Sequence, residues 1–125
     1  MFTRRSSDGY RPVLDGVRLK ALAHGGRMLL TEFRLEGGRE LPRHAHPQDQ
    51  VGYLVSGHLR VTIGDEAFDA LPGDSWYVPG NVEHGADVLA DAIAFFQAFE
   101  GMETGFRERA DEVIALLTST DTRYV

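Results

Sequence analysis

Apolar and polar residues alternate along several short runs of the chain, which predicts β-strands with one buried face. In Met28–Leu35 the mostly apolar set is Leu29, Thr31, Phe33 and Leu35. Side chains at every second position of a strand point the same way, so we expect this set to face a core.

Turn signals separate the runs. Gly64-Asp65 follows the alternating run 59–63 and predicts a hairpin. Ser56-Gly57-His58 is a further turn signal, and residues 88–89 and 93–99 are predicted as separate last strands. Glycine- or proline-rich turns recur about every eight to twelve residues, which is typical of an antiparallel sandwich or barrel.

The two ends of the chain differ from the middle. Residues 1–16 are polar and irregular, which predicts either a poorly ordered arm or an edge strand. Near the other end, apolar residues recur at three- and four-residue intervals from Phe106 to Leu117, which predicts an amphipathic helix. The expected organisation is an arm over 1–16, a barrel over 17–100, and a helix and tail over 101–125.

The composition restricts the function. The chain has 125 residues, 42% hydrophobic and 26% charged, which fits one globular domain. No apolar run approaches about 20 residues, so we expect no membrane partner. A net charge of -6 argues against nucleic acid as a partner. The chain has no cysteine, which excludes thiolate ligands and leads us to expect a cytoplasmic protein.

Candidate chemistry is concentrated around two histidines. His44 and His46 would share one face of an extended strand, and Gln50 follows at an even spacing. His84 lies in a later turn that contains Pro79-Gly80-Asn81. Because imidazoles that lie close together bind divalent metals, we predict one metal site formed by these three histidines and Gln50. The alternative is that the histidines are ordinary core or surface residues.

Two motifs built around these residues resemble those of the cupin superfamily. The first motif is matched at every spacing, by Gly38, His44, His46, Gln50 and Gly57, with glutamine in the usual glutamate place. The second is matched by Gly73, Pro79 and His84. Asn81 replaces its second glycine, and Val88 replaces its final asparagine. Asparagine tolerates the left-handed backbone conformation better than most residues, so the first replacement is mild.

The resemblance implies an all-β, double-stranded β-helix (jelly-roll) barrel, here followed by the short C-terminal α-helix, with a divalent metal site at one open mouth. Gln50 makes the implied ligand set neutral, so the ion would keep its full charge and favour anionic ligands. Nitrogen and oxygen ligands without sulfur suit Ni, Zn, Fe, Mn or Cu.

The chain is most similar to small cupins of pectin and alginate breakdown, which convert unsaturated monouronates to a linear keto form. These carry an aspartate on the last strand and an arginine in the loop after it. Aligned through Phe99, the aspartate place holds Gln97, which cannot exchange a proton as a carboxylate does. Arg107 is a positional candidate for the arginine.

Aromatic residues are candidates for binding substrate. If Gln97 faces inward, Phe95 and Phe99 do so as well. Phe33 and Trp76 are further candidates, and ordinary core packing is the alternative for all four.

Two functions remain open at this point. One is a metal-dependent enzyme that acts on a small anionic sugar acid or carbonyl compound, by isomerisation, ketonisation or dioxygenation. The other is a cupin that binds or senses a small ligand without chemistry. Small cupins commonly pair, so we expect a homodimer in either case.

Overall fold

The computed structural model describes residues 2–25 and 28–99, without the side chain of Phe99. Its eight strands are β1 Arg11–Leu14, β2 Val17–Gly25, β3 Met28–Leu35, β4 Glu40–His44, β5 Gln50–Ile63, β6 Glu66–Ala70, β7 Ser75–Val78 and β8 His84–Phe99. All strand pairs are antiparallel. Within the described ranges no helix has the length and apolar character needed to cross a membrane. The predicted C-terminal helix lies outside the described residues.

Two long strands, β5 and β8, organise the sheet, whose main order is β1-β2-β3-β8-β5-β6. β5 and β8 pair with each other from Gln50–Ala98 to Ile63–His84. β4 also pairs with the start of β8, and β7 with the start of β5. The ends of β4 and β7 are thereby held beside the first residues of β8 and β5.

The core lies between the inward faces of these strands. As the alternation in β3 predicted, Leu29, Thr31, Phe33 and Leu35 are buried. Phe33 and Leu35 pack in a cluster that includes Leu54 of β5, which is fully buried. The predicted hairpin is confirmed, because Ile63 and Glu66 pair across Gly64-Asp65. β1 pairs with β2, so the first part of the chain contains an edge strand.

Two predicted strand breaks were wrong. Ser56-Gly57-His58 lies within β5, and residues 88–99 belong to one continuous strand. The pairing of β5 with β8 instead shifts register between Leu54 and Leu59. Such bulges bend a strand without ending it, because the ladder resumes on both sides.

Gly57 lies within this irregular stretch and has a φ of +92°. A Cβ at this position would lie 2.2 Å from the carbonyl oxygen of Asp91 and 2.6 Å from Cα of Ala92. Both atoms belong to the backbone of β8, so a rotamer change cannot relieve the overlap. Glycine is therefore required here for the backbone conformation and for the approach of the two strands.

We expect Gly57→Ala to lower the free energy of unfolding by about 3 kcal/mol, from left-handed strain plus backbone overlap. Gly73→Ala is the matched control. Gly73 has a φ of +95°, and among the described residues other than its chain neighbours no atom would lie within 4 Å of a Cβ at this position. The control should lose only about 1–2 kcal/mol. Urea denaturation of both variants measures the difference, and equal losses would show that the close approach to β8 contributes nothing.

Candidate metal centre

The strand pairing brings the four predicted metal ligands together from three strands and one connection. His44 ends β4, Gln50 begins β5 and His84 begins β8. His44 and His84 are direct partners in the β4–β8 ladder, and His46 lies in the connection from β4 to β5. All four side chains are buried.

The three imidazoles converge on one point. The ring centroids of His44 and His84 are 4.3 Å apart, those of His46 and His84 4.8 Å, and those of His44 and His46 5.7 Å. One nitrogen from each ring lies within 4.8 Å of the other two. Three imidazole nitrogens at this separation can ligate a single ion.

Backbone carbonyl groups set the orientation of each ring. Nδ1 of His44 lies 2.8 Å from the backbone oxygen of Pro42. The corresponding distance is 2.9 Å from His46 to Gln48 and 2.9 Å from His84 to Val82. A carbonyl oxygen only accepts, so each Nδ1 carries the hydrogen and each neutral ring keeps a lone pair on Nε2. Metal-binding histidines characteristically have this arrangement.

The Nε2 atoms fit a metal better than they fit an ordinary core. Nε2 of His44 and Nε2 of His84 are buried without a hydrogen-bond partner among the described residues. A buried polar atom that lacks a partner is unfavourable. A divalent ion accepts lone pairs of this kind, so the donor set fits such an ion.

Gln50 completes the cluster. Its Oε1 lies 3.1 Å from Nε2 of His46. Since Nδ1 of His46 carries the hydrogen, both facing atoms are acceptors in this orientation, and no proton lies between them. Two lone-pair atoms that face each other at this distance are suited to the shared coordination of one cation.

Burial changes the acid–base properties of two histidines. Loss of solvation, reinforced by the neighbouring His44, lowers the pKa of His84 from 6.5 to about 3. The pKa of His44 is also lowered, chiefly by burial. Both rings are therefore neutral at pH 7, which is the form that ligates a metal.

A link between the two motif loops was not predicted from the sequence. Oδ1 of Asp49 accepts a hydrogen bond of 2.7 Å from the backbone N–H of Gly80, and the N–H of Asn81 donates to the oxygen of His46 at 2.7 Å. Asn81 has a φ of +67°, the left-handed conformation that its motif position predicted. In the sequence Asp49 has the character of a solvated loop residue. Its partner is a backbone N–H, which any residue type would provide, so no sequence motif indicates the bond.

A cavity of about 40 Å³ lies beside the histidines, and His44, Gln50 and His84 line it together with apolar residues. Phe33 and Trp76 line it as well, and both also belong to the core cluster, so their role in binding substrate stays a prediction.

Gln97 and Phe95 were candidates for the inner face of β8, but neither lines this cavity. Ala98 pairs with Gln50, and Phe96 and Ala98 line the cavity, so Phe95 and Gln97 face outward. Accordingly, the amide of Gln97 contacts Sδ of Met28 at 3.8 Å on the exposed side of the sheet. Motif alignment placed the strand correctly but did not determine which face each residue occupies. The side chain of Phe99 and the whole of Arg107 lie outside the described part of the chain.

Solved structures share this fold. KdgF from Halomonas sp. superposes with a TM-score of 0.77 and is 25% identical, and the match covers 81% of this chain and 95% of that one. A jelly-roll barrel is therefore the architecture of the antiparallel sheet.

Curated sequences are also similar. Protein SCO3923 of Streptomyces coelicolor is 28% identical over 94 residues, which are 75% of this chain and 89% of that protein. Oxalate decarboxylase OxdC of Bacillus subtilis is 29% identical over 89 residues, which are 67% of this chain. The match spans only 23% of the length of that enzyme.

The family model described as a cupin domain matches residues 31–96, which include all four candidate ligands and more than half of the chain. The chain therefore belongs to the cupin family.

Proposed function

We propose that the protein is a metal-dependent enzyme that acts on a small anionic carbonyl compound or sugar acid. His44, His46, His84 and Gln50 would hold one divalent ion. The observation that carries the proposal is a pair of buried Nε2 atoms, on His44 and His84, which have no partner in the described part of the chain and face the same point as His46. When bound, such an ion acts as a Lewis acid toward carboxylate and carbonyl oxygens.

The ligand set favours an anionic ligand. Three neutral imidazoles and a glutamine carbonyl leave the charge of a divalent ion uncompensated. The name of the related oxalate decarboxylase, which denotes a small dicarboxylate, is consistent with this preference. Isomerisation, ketonisation and dioxygenation remain the candidate reactions, and Ni, Zn, Fe, Mn and Cu the candidate metals.

The chain's own residues keep the centre in its ligating form. The three backbone carbonyls hold the Nδ1 hydrogens, so each Nε2 stays free of a proton. Burial excludes water from the lone pairs. The bond from Gly80 to Asp49 and the bond from Asn81 to His46 keep the two ligand-bearing loops in register.

A binding protein without catalysis is the second candidate. It is favoured by the described cavity wall, which contains no carboxylate and no arginine. Among the described residues, no carboxylate of the last strand is placed for ketonisation of a uronate, because the cavity-facing residues at the end of β8 are Phe96 and Ala98. Assays that follow both binding and conversion of small 2-oxo acids and unsaturated uronates separate the two candidates.

Elemental analysis of protein purified without a chelating tag should find about one divalent ion per chain. We expect His84→Ala to weaken metal affinity by at least about 100-fold. Loss of a residue that only supports a ligand weakens metal affinity by about 10- to 100-fold, and loss of the ligand itself should weaken it at least as much. Gln50→Glu should tighten metal binding and weaken binding of anions, because the carboxylate neutralises part of the ionic charge. Full metal content in His84→Ala would contradict the site, and stronger anion binding by Gln50→Glu would contradict the role of the neutral ligand.

The metal-free protein should become less stable as the pH falls below 6.5, the ordinary pKa of His84. Between pH 6.5 and the folded pKa of about 3, the unfolded chain binds a proton at His84 that the folded chain does not. Stability therefore falls with decreasing pH, by up to about 1.4 kcal/mol per pH unit for each such histidine.

Urea denaturation between pH 6.5 and 5 tests this effect. Most carboxylates titrate below this range, so they contribute little to the measured change in stability. His84→Asn should show a shallower dependence on pH than the wild type. Identical slopes would mean that burial of His84 does not penalise its protonated form.

We also infer that two copies of the chain pair through the outer face of β5. Val51, Tyr53 and Val55 point outward there and are 37%, 46% and 39% exposed. The outer face of an antiparallel sheet is ordinarily polar when it meets water, and a contiguous apolar strip marks an interaction surface. A second copy presents the same strip, so the contact can be symmetric.

Light scattering should give the mass of a dimer at tens of micromolar, and Tyr53→Lys should give a monomer because it places a charge in the strip. Leu71→Lys is the control, since Leu71 is 52% exposed in the turn after β6 and should leave the dimer intact. A monomeric wild type would rule out the pairing and leave residues 100–125 as the candidate cover for the strip.

A further inference from the structure

The wall of the cavity beside the histidines is apolar. Leu29, Phe33, Val61, Trp76, Val78 and Phe96 form most of it. Among the described residues that line it, none carries a permanent charge. A ligand that enters this cavity therefore meets mostly hydrocarbon outside the cluster of histidines and Gln50.

The polar side chains of the wall leave few groups that could bond a hydroxyl on the body of a ligand. The hydroxyl of Thr31 donates to the backbone oxygen of Phe96 at 3.1 Å. The Nδ1 hydrogens of His44 and His84 are bound to carbonyl oxygens. Their Nε2 atoms and Oε1 of Gln50 belong to the proposed metal site. A hydroxyl group on the body of a ligand would lose its bonds to water and gain little in exchange.

The cavity is also small. A volume of about 40 Å³ holds about three water-sized groups, given that one water needs roughly 10–15 Å³. A short hydrocarbon chain fits this space, whereas the body of a sugar acid, which carries several hydroxyls, is both larger and less compatible with the wall.

We propose that the ligand of this site is a short-chain 2-oxo acid with a hydrocarbon body, and that the apolar wall rejects polyhydroxylated sugar acids. This rests on the proposed metal-binding function and narrows its substrate class. The carboxylate and 2-oxo oxygens face the metal-binding residues, and the alkyl end packs against Phe33, Val61 and Phe96. Such a wall weakens the binding of a ligand that carries one hydroxyl in place of a methyl group by a factor on the order of ten to a hundred.

Two acids of equal size test the proposal, 2-oxobutanoate and 3-hydroxypyruvate, which differ only in a terminal methyl or hydroxyl group. The full chain loaded with Co²⁺ is titrated with each acid and with galacturonate. Calorimetry gives the dissociation constants, and the visible spectrum of Co²⁺ reports changes at the metal. We expect 2-oxobutanoate to bind at least ten-fold more tightly than 3-hydroxypyruvate, and galacturonate to bind most weakly.

The outcomes separate this inference from the function on which it rests. Equal or tighter binding of 3-hydroxypyruvate or galacturonate overturns the hydrocarbon preference and leaves the metal site standing. Retention of Co²⁺ with no binding of any acid overturns the proposed ligand class together with the inference. Failure to retain Co²⁺ overturns the proposed metal site itself.

A pair of isosteric substitutions localises the preference to the wall. Val61→Thr places a hydroxyl in the cavity lining and should reduce the ratio of the two dissociation constants several-fold. Val88→Thr makes the same change in the buried core, at a residue that does not line the cavity, and should leave the ratio unchanged. Equal ratios in both variants and the wild type would show that the wall at Val61 does not select the ligand.

Discussion

Three hydrogen bonds between imidazole Nδ1 atoms and backbone carbonyls determine what the centre of this protein can do. Each bond is local in the sequence, because the carbonyl belongs to a residue two positions from the histidine. These residues are Pro42, Gln48 and Val82. Each one directs an unprotonated Nε2 toward the same point. The backbone thus fixes both the tautomer and the direction of the lone pair, and burial keeps the rings of His44 and His84 uncharged. Without these bonds the same residues would form an ordinary buried cluster.

The convergence of these lone pairs depends in turn on how the two motifs are connected. His44 and His84 are neighbours in one ladder, but His46 lies in a loop whose position the strands do not fix. The bonds of Asp49 to Gly80 and of Asn81 to His46 fasten that loop to the turn before β8. At Gly80 a Cβ would lie 2.2 Å from the oxygen of Pro47, so the turn can approach the loop only because glycine has no side chain. Asn81 supports the same approach through its left-handed backbone.

The sequence was informative where function depends on residue type at a fixed spacing. The alternation in β3 predicted its buried face, and the glycine and histidine spacings predicted the residues that converge. The sequence was less informative where strand pairing determines whether a segment stays extended and which face a side chain occupies. Residues 56–58 have the composition of a turn, yet pairing with β8 keeps them extended through a bulge. The face of Gln97 depends on register against β3 and β5, and a shift by one residue reverses every side chain of a strand. Asp49 was missed because a bond to a backbone N–H leaves no pattern in the sequence.

The neutrality of the centre and the apolarity of its wall have complementary consequences for ligand choice. Enzymes that bind carboxylates commonly use arginine, but none lines the described part of this cavity. In the proposed holoprotein the ion would then be the main source of positive charge for an anion. Glutamate at position 50 would cancel part of that charge, so glutamine maintains the attraction that the wall cannot provide. The wall in turn can discriminate only by size and by the absence of hydroxyl groups, because it offers shape and hydrocarbon. Affinity for the head group and selectivity for the body thus depend on different residues. Substitution of Gln50 should therefore change the affinity for anions, and substitution of Val61 should change the selectivity between ligand bodies.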